Sequence, residues 1–202
     1  MSLVFFIPVL QITGERNFMA QINLTTPMEP AKGATTAHFL SGEVLAPYLW
    51  ALIRLCLGWT FLWPFIDKLF GLGHQTTAAH AWINGGSPSK GFLSGSVGPF
   101  ASIYQSMAGV GWVNWLFMIG LLAIALALLL GIGMRIASVA GAILLVLMWS
   151  ASLPPDNDIF MDNHIVYALL LLGLAAVGAG NTLGLGRWWS QTSLVRRFPW
   201  LT

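Results

Sequence analysis

Four apolar runs dominate the chain, at Ala46 to Phe70, Trp112 to Gly131, Ile136 to Leu153 and His164 to Gly180. At about 1.5 Å of rise per residue, the first run is long enough to cross a hydrocarbon core of about 30 Å as a helix. The other three read as further spans. Their ends carry stop signals. Gly131-Ile132-Gly133-Met134-Arg135 makes a tight turn between the second and third runs. Pro154-Pro155 halts the third, because proline cannot easily continue a helix. Asp162 is placed to cap the fourth, where a carboxylate meets free N–H groups and the positive end of the helix dipole. The pattern predicts an all-α integral membrane protein, a four-transmembrane-helix bundle with a long extracytoplasmic loop between helices 1 and 2. That loop is rich in glycine and serine, from Gly85-Gly86-Ser87-Pro88 to Gly98-Pro99-Phe100. A connection of this length carries function or partial structure of its own. Phe100 to Ala108 is predicted to form a short surface helix.

Residues 1–45 are weakly patterned and are read as a tail, with Ala37 to Leu45 suited to the membrane surface. Leu3 to Ile12 is apolar but too short to span, and Pro8 interrupts it. Basic residues before this stretch and small residues after it, the marks of a signal peptide, are missing. Met19-Ala20-Gln21 reads as an alternative translation start. Residues 46–188 form the expected membrane domain, and residues 189–202 a cytoplasmic C-terminal tail.

Composition sharpens the membrane reading. Only 8% of the residues are charged, against 56% hydrophobic. A soluble domain carries about 25% charged residues, so lipid must cover much of this surface. The 10 Trp and 12 Phe suit bilayer interfaces. The net charge of +2 and the lack of any Lys/Arg run argue against a nucleic-acid partner. One cysteine, Cys56, excludes an internal disulfide or a CxxC pair, and it is expected to be a small buried hydrophobe. Four spans put Arg16, Lys32, Arg135, Arg187, Arg196 and Arg197 on one side. Lys68 and Lys90 fall on the other, with Asp67, Asp156, Asp158 and Asp162. The positive-inside rule then makes both termini cytoplasmic in a cell (inner) membrane.

A few residues carry candidate chemistry. Arg54 lies about two turns inside the first span, where a charge is costly and faces a bundle interior, a cavity or a partner. It either reaches the inner headgroups or neutralises an acid such as Glu43, or it donates to an anion or a quinone carbonyl. Arg54, Gly58, Phe61, Phe65 and Lys68 share one helical face. Gly58 leaves room for a flat ring and Phe61 and Phe65 can sandwich it, or all three simply pack. At the far end, Lys68, Asp162 and His164 gather at one membrane surface, with His74 and His80 in the adjoining loop. Imidazole gains and loses protons near neutral pH, so His164 can accompany electron transfer, or it is an ordinary interfacial histidine. No HExxH, no paired-cysteine site and no mid-span histidine suits a metal or haem, and no Rossmann or Walker loop is present.

These segments resemble a known family. Leu52-Ile53-Arg54-Leu55 with Gly58, Phe61 and Lys68 resembles the first helix of DoxX-type membrane proteins. Leu130-Gly131-Ile132-Gly133-Met134-Arg135 resembles their second-to-third helix turn. Gly98-Pro99-Phe100-Ala101, Ala108-Gly109, Asp162-Asn163-His164-Ile165-Val166-Tyr167-Ala168 and Gly178-Ala179-Gly180 narrow the likeness to the DoxD branch, over residues 46–188. That branch is described as the large subunit of thiosulfate:quinone oxidoreductase. The resemblance implies oxidation of thiosulfate to tetrathionate, with electrons passed to a membrane quinone. It also implies a second protein subunit. On this reading His164, Asp162 and Lys68 are the catalytic candidates, and Arg54, Gly58, Phe61 and Phe65 the quinone-binding ones. A non-catalytic anchor or accessory subunit of a larger redox complex is the competing reading. A transporter is disfavoured, because no inverted repeat of broken helices is visible.

Overall fold

The computed structural model describes residues 41–155 and 160–202. The expected tail before residue 41 and the acids Asp156 and Asp158 lie outside the described residues. Within them the chain is helical, with no strand. Three helices are long and apolar enough to cross a membrane: α1 (Gly42–Phe70), α4 (Gly111–Leu130) and α5 (Met134–Ala151). Two short helices, α2 (Lys90–Ser94) and α3 (Ala101–Met107), lie in the connection between α1 and α4. A fourth apolar helix, α6 (Asn163–Ala176), follows α5. After a single 3₁₀ turn at Ala179–Asn181 come the short α7 (Gly186–Ser190) and α8 (Ser193–Arg197).

Two sequence expectations shift here. The first helix begins at Gly42, four residues before the expected start, so residues 42–45 form the first turn of α1, with Pro47 tolerated inside it. The fourth run stops being α-helical at Ala176, four residues before the expected end. Gly178 then adopts φ +63° and a 3₁₀ turn follows. With 14 residues, α6 is about 21 Å long, short of a core of about 30 Å. The expected surface helix is present as α3.

The bundle is built from small residues inside and large ones outside. Ala51, Gly58, Ala125, Ala137, Ser138, Gly141, Ala142 and Ala168 face inward, and they let the backbones approach closely. Gly141 marks the centre. A Cβ there would lie 2.7 Å from Leu171 Cδ1 of α6, 3.4 Å from Ile124 of α4 and 3.6 Å from Phe61 of α1. All four long helices therefore meet at one glycine. Leu57, Leu121, Leu128, Leu145 and Leu174 complete the interior. The outward faces carry Leu52, Trp59, Leu116, Ile119, Ile143, Leu147 and Leu169, all exposed. A soluble bundle would place charged residues there; these faces suit lipid. Cys56 belongs with them. It is exposed rather than buried, because an apolar side chain next to lipid has no need of the protein interior.

The long connection between α1 and α4 is folded against one end of the bundle. Asn114, buried in the first turn of α4, holds it. Its Oδ1 accepts from Ser89 N at 3.1 Å, Ser89 Oγ at 2.7 Å and Ser87 Oγ at 3.1 Å. Trp82 meets Trp115 edge-on, with ring centroids 4.6 Å apart. Further along, Tyr104 Oη lies 2.5 Å from Ser150 Oγ near the end of α5. The opposite end is closed by the C-terminal residues. Arg135 N donates to Thr202 O at 2.9 Å, and Trp189 Nε1 to Leu201 O at 2.8 Å. Residues 189–202 thus lie against the turn between α4 and α5.

Candidate functional site

The candidate residues separate into two places. One is the end of the bundle covered by the long connection, the loop end. The other, the arginine end, lies at the start of α1 and the finish of α4 and α6.

At the loop end, Asp162 does two things. Its Oδ1 accepts from His164 N at 3.0 Å and from Ile165 N at 3.3 Å, capping α6 as its position in the sequence predicts. Its Oδ2 lies 2.6 Å from His164 Nδ1. A carboxylate can only accept, so the imidazole proton on this side sits at Nδ1 and Nε2 is left as the basic nitrogen. Nε2 has no partner among the described residues. The side chains of His164 and Asp162 keep 21% and 17% of their accessible surface, so the pair is reachable from outside. Asp162 is itself fixed by the helix it caps, which fixes the ring.

Lys68 stands on the last turn of α1 at this same end, half-buried. It has no hydrogen bond or ion pair among the described residues, and nothing joins it to the Asp162–His164 pair. Its neighbour Asp67 is the more embedded group, 2% exposed, and accepts from His74 N at 3.3 Å and Gln75 N at 3.1 Å. Asp67 anchors the start of the connection, where the His74 ring also packs edge-on against Trp63 at 5.1 Å. His80 is tied to Thr77 Oγ1 at 2.9 Å on the surface.

The residues expected to hold a flat ring are occupied otherwise. Gly58 leaves no slot: a Cβ there would stand 2.9 Å from both Cγ and Cδ2 of Leu129. Its missing side chain is the space into which α4 packs. Phe61 is fully inside the core, and Phe65 is half-buried against the same cluster. Gly58 and Phe61 on this face are taken up by helix packing.

Arg54 is wholly buried, as its depth in the sequence suggests, but its partners are backbone carbonyls. Nη1 donates to Leu128 O and, at 3.1 Å, to Leu129 O. Nη2 donates to Leu183 O at 2.8 Å and Thr182 O at 3.4 Å. Neither Glu43 nor any other described acid pairs with it. The chemistry is that of a helix terminus. The last four carbonyls of a helix have no partner within it, and in lipid such groups are expensive to leave bare. Ala127 O is met by the N–H groups of Gly131 and Ile132, and Leu130 O by Leu185 N at 2.8 Å. Leu128 and Leu129 are left, and Arg54 serves both. Gly131, at φ +74°, makes the left-handed turn that ends α4. Arg54 is therefore level with the last turn of α4, while the first turns of α1 run on beside Val177, Gly178 and Ala179.

No family model, curated protein or solved structure matches this chain. What the site can do rests on its own geometry. Two cavities, of about 260 and 280 Å³, both lie at the arginine end. No group of three or more His, Cys, Asp or Glu side chains among the described residues is arranged to hold a metal. Asn114 is the positioning residue that sequence reasoning passed over. Asn114 carried a signal, as a lone amide in the first turn of an otherwise apolar span.

Proposed function

We propose that this protein is a membrane subunit of a quinone-linked oxidoreductase, and that the Asp162–His164 pair handles protons at the loop end. The resemblance to the DoxD branch supplies the reaction: two thiosulfates join as tetrathionate, releasing two electrons, and quinone takes those electrons with two protons to become quinol. The observation that carries this reading is the pair itself. A carboxylate held by two backbone N–H groups orients a partly exposed imidazole whose Nε2 has no partner among the described residues. That is the arrangement of a proton-transfer group set beside a bilayer edge. Quinone is treated as a diffusible substrate that approaches this edge. Lys68 is the nearest cation on α1 to draw a dianion to the surface.

In this reading α6 completes a fourth crossing together with the 3₁₀ turn after it, aided by local thinning of the bilayer. The arginine end faces the cytoplasm, by charge asymmetry, and the loop end faces outward. The membrane is the cell (inner) membrane, and a second subunit completes the enzyme.

The protein purified with its natural partners should reduce quinone when given thiosulfate. His164→Gln should lower that rate about a hundredfold, the lower range for a positioned acid–base group. An unchanged rate in a folded His164→Gln variant overturns the proton-handling role.

The accessory-subunit reading has one observation in its favour: the interior of the bundle is filled by its own side chains. It predicts that no donor supports quinone reduction by the intact complex through this chain, and that His164→Gln changes nothing.

A further inference from the structure

The arginine end holds a feature that the redox reading does not use. A half-open pocket of about 260 Å³ is lined by the α4–α5 turn, the finish of α6 and the C-terminal residues. It is smaller than the roughly 300–1,000 Å³ of pockets that take up drug-sized molecules. Its polar members are Arg135, Asn181, Ser190 and Thr202, and among the described residues no acidic side chain lines it. Arg135 is exposed, and its guanidinium has no partner among the described residues. Arg187, Arg196 and Arg197 follow on α7 and α8. From residue 163 to residue 202 the sequence contains no Asp or Glu. Exposed Trp188, Leu194, Phe198 and Trp200 alternate with these arginines. Exposed apolar side chains beside cations are the composition of a segment lying in the headgroup layer of a membrane.

We propose that this cavity binds the headgroup of an anionic phospholipid, with Arg135 as its principal ligand. Arg187 assists from α7, while Trp188 and Trp200 seat the surrounding segment at the bilayer surface. Charge complementarity chooses the occupant. A zwitterionic headgroup brings a second cation toward Arg135, whereas an anionic one brings only the phosphate. A planar guanidinium can meet a phosphate with two parallel hydrogen bonds. The site binds lipid whether or not the protein carries out redox chemistry.

The test compares lipids on the full chain in detergent, by native mass spectrometry and by thermal melting. Phosphatidylglycerol should be retained and should raise the melting temperature. Phosphatidylcholine with the same acyl chains, and inorganic phosphate alone, should not. The double variant Arg135→Gln/Arg187→Gln should lose the preference for phosphatidylglycerol, by about fivefold for each arginine removed. Its melting temperature in phosphatidylcholine should stay unchanged. On the unaltered protein, the preference should fall as salt rises, because it is carried by charge near the surface. Equal retention of the two lipids overturns the proposal, as does a preference that survives in the double variant or that ignores salt. Stabilisation by inorganic phosphate alone assigns the cavity to a free anion and overturns the lipid.

Discussion

Arg54 is the residue on which most of the arginine end depends. Arg54→Met leaves four carbonyls, at Leu128, Leu129, Thr182 and Leu183, without their donor in an apolar setting. The loss should amount to about 3 kcal/mol or more, since hydrogen bonds from a charged group contribute about 1.5–3 kcal/mol each and do not add fully. Arg54→Lys should recover only part of it, because an ammonium cannot span both pairs of carbonyls. Unfolding in mild detergent measures both. A normal Arg54→Met protein would mean that the carbonyls are served some other way. At the loop end, Asp162→Asn and Asp162→Ala separate two roles. Asparagine keeps the cap and should leave stability nearly unchanged, while alanine should cost about 1 kcal/mol. Both remove the carboxylate from His164, so both should lower any activity that uses its proton. If only Asp162→Ala lowers activity, the residue matters as a cap alone.

Among the elements, the contact between α1 and α4 is set by size. Gly58→Val places methyl groups where Leu129 already stands, 2.9 Å from the glycine's absent Cβ. Overpacking of this kind costs about 1–3 kcal/mol. Leu129→Ala opens the same space, so the double variant should be more stable than the sum of the single effects predicts. Strict additivity would show that the two helices do not touch there. The connection between α1 and α4 depends similarly on Asn114. Asn114→Leu removes the acceptor shared by Ser87 and Ser89, and protease cleavage around Gly85-Gly86 should become faster while the long helices stay intact. Cleavage at the unaltered rate would make Asn114 dispensable as an anchor.

For the molecule as a whole, the charge asymmetry predicts orientation. In a Cys56→Ala background, Lys90→Cys should react with an impermeant thiol reagent added outside intact cells, and Arg135→Cys should not. The reverse pattern inverts the topology. The background change removes the one native thiol, so that any labelling reports the introduced cysteine.

The sequence by itself determined that the chain is helical and belongs in a membrane, because runs of apolar residues and a shortage of charge follow from local composition. It also located the turn at Gly131, the end of α5 to within two residues of Leu153, and the cap at Asp162, each a short-range matter of backbone geometry. It marked Arg54 as buried, from the cost of a charge inside a span. Only the tertiary structure decided what Arg54 touches, because its partners lie 74 to 129 positions along the chain. It likewise decided that a leucine of α4 packs against Gly58, and that Cys56 faces out. An apolar position in a membrane helix is equally at home against lipid or against protein, so helical periodicity cannot tell the two sides apart; packing between small residues on four helices does.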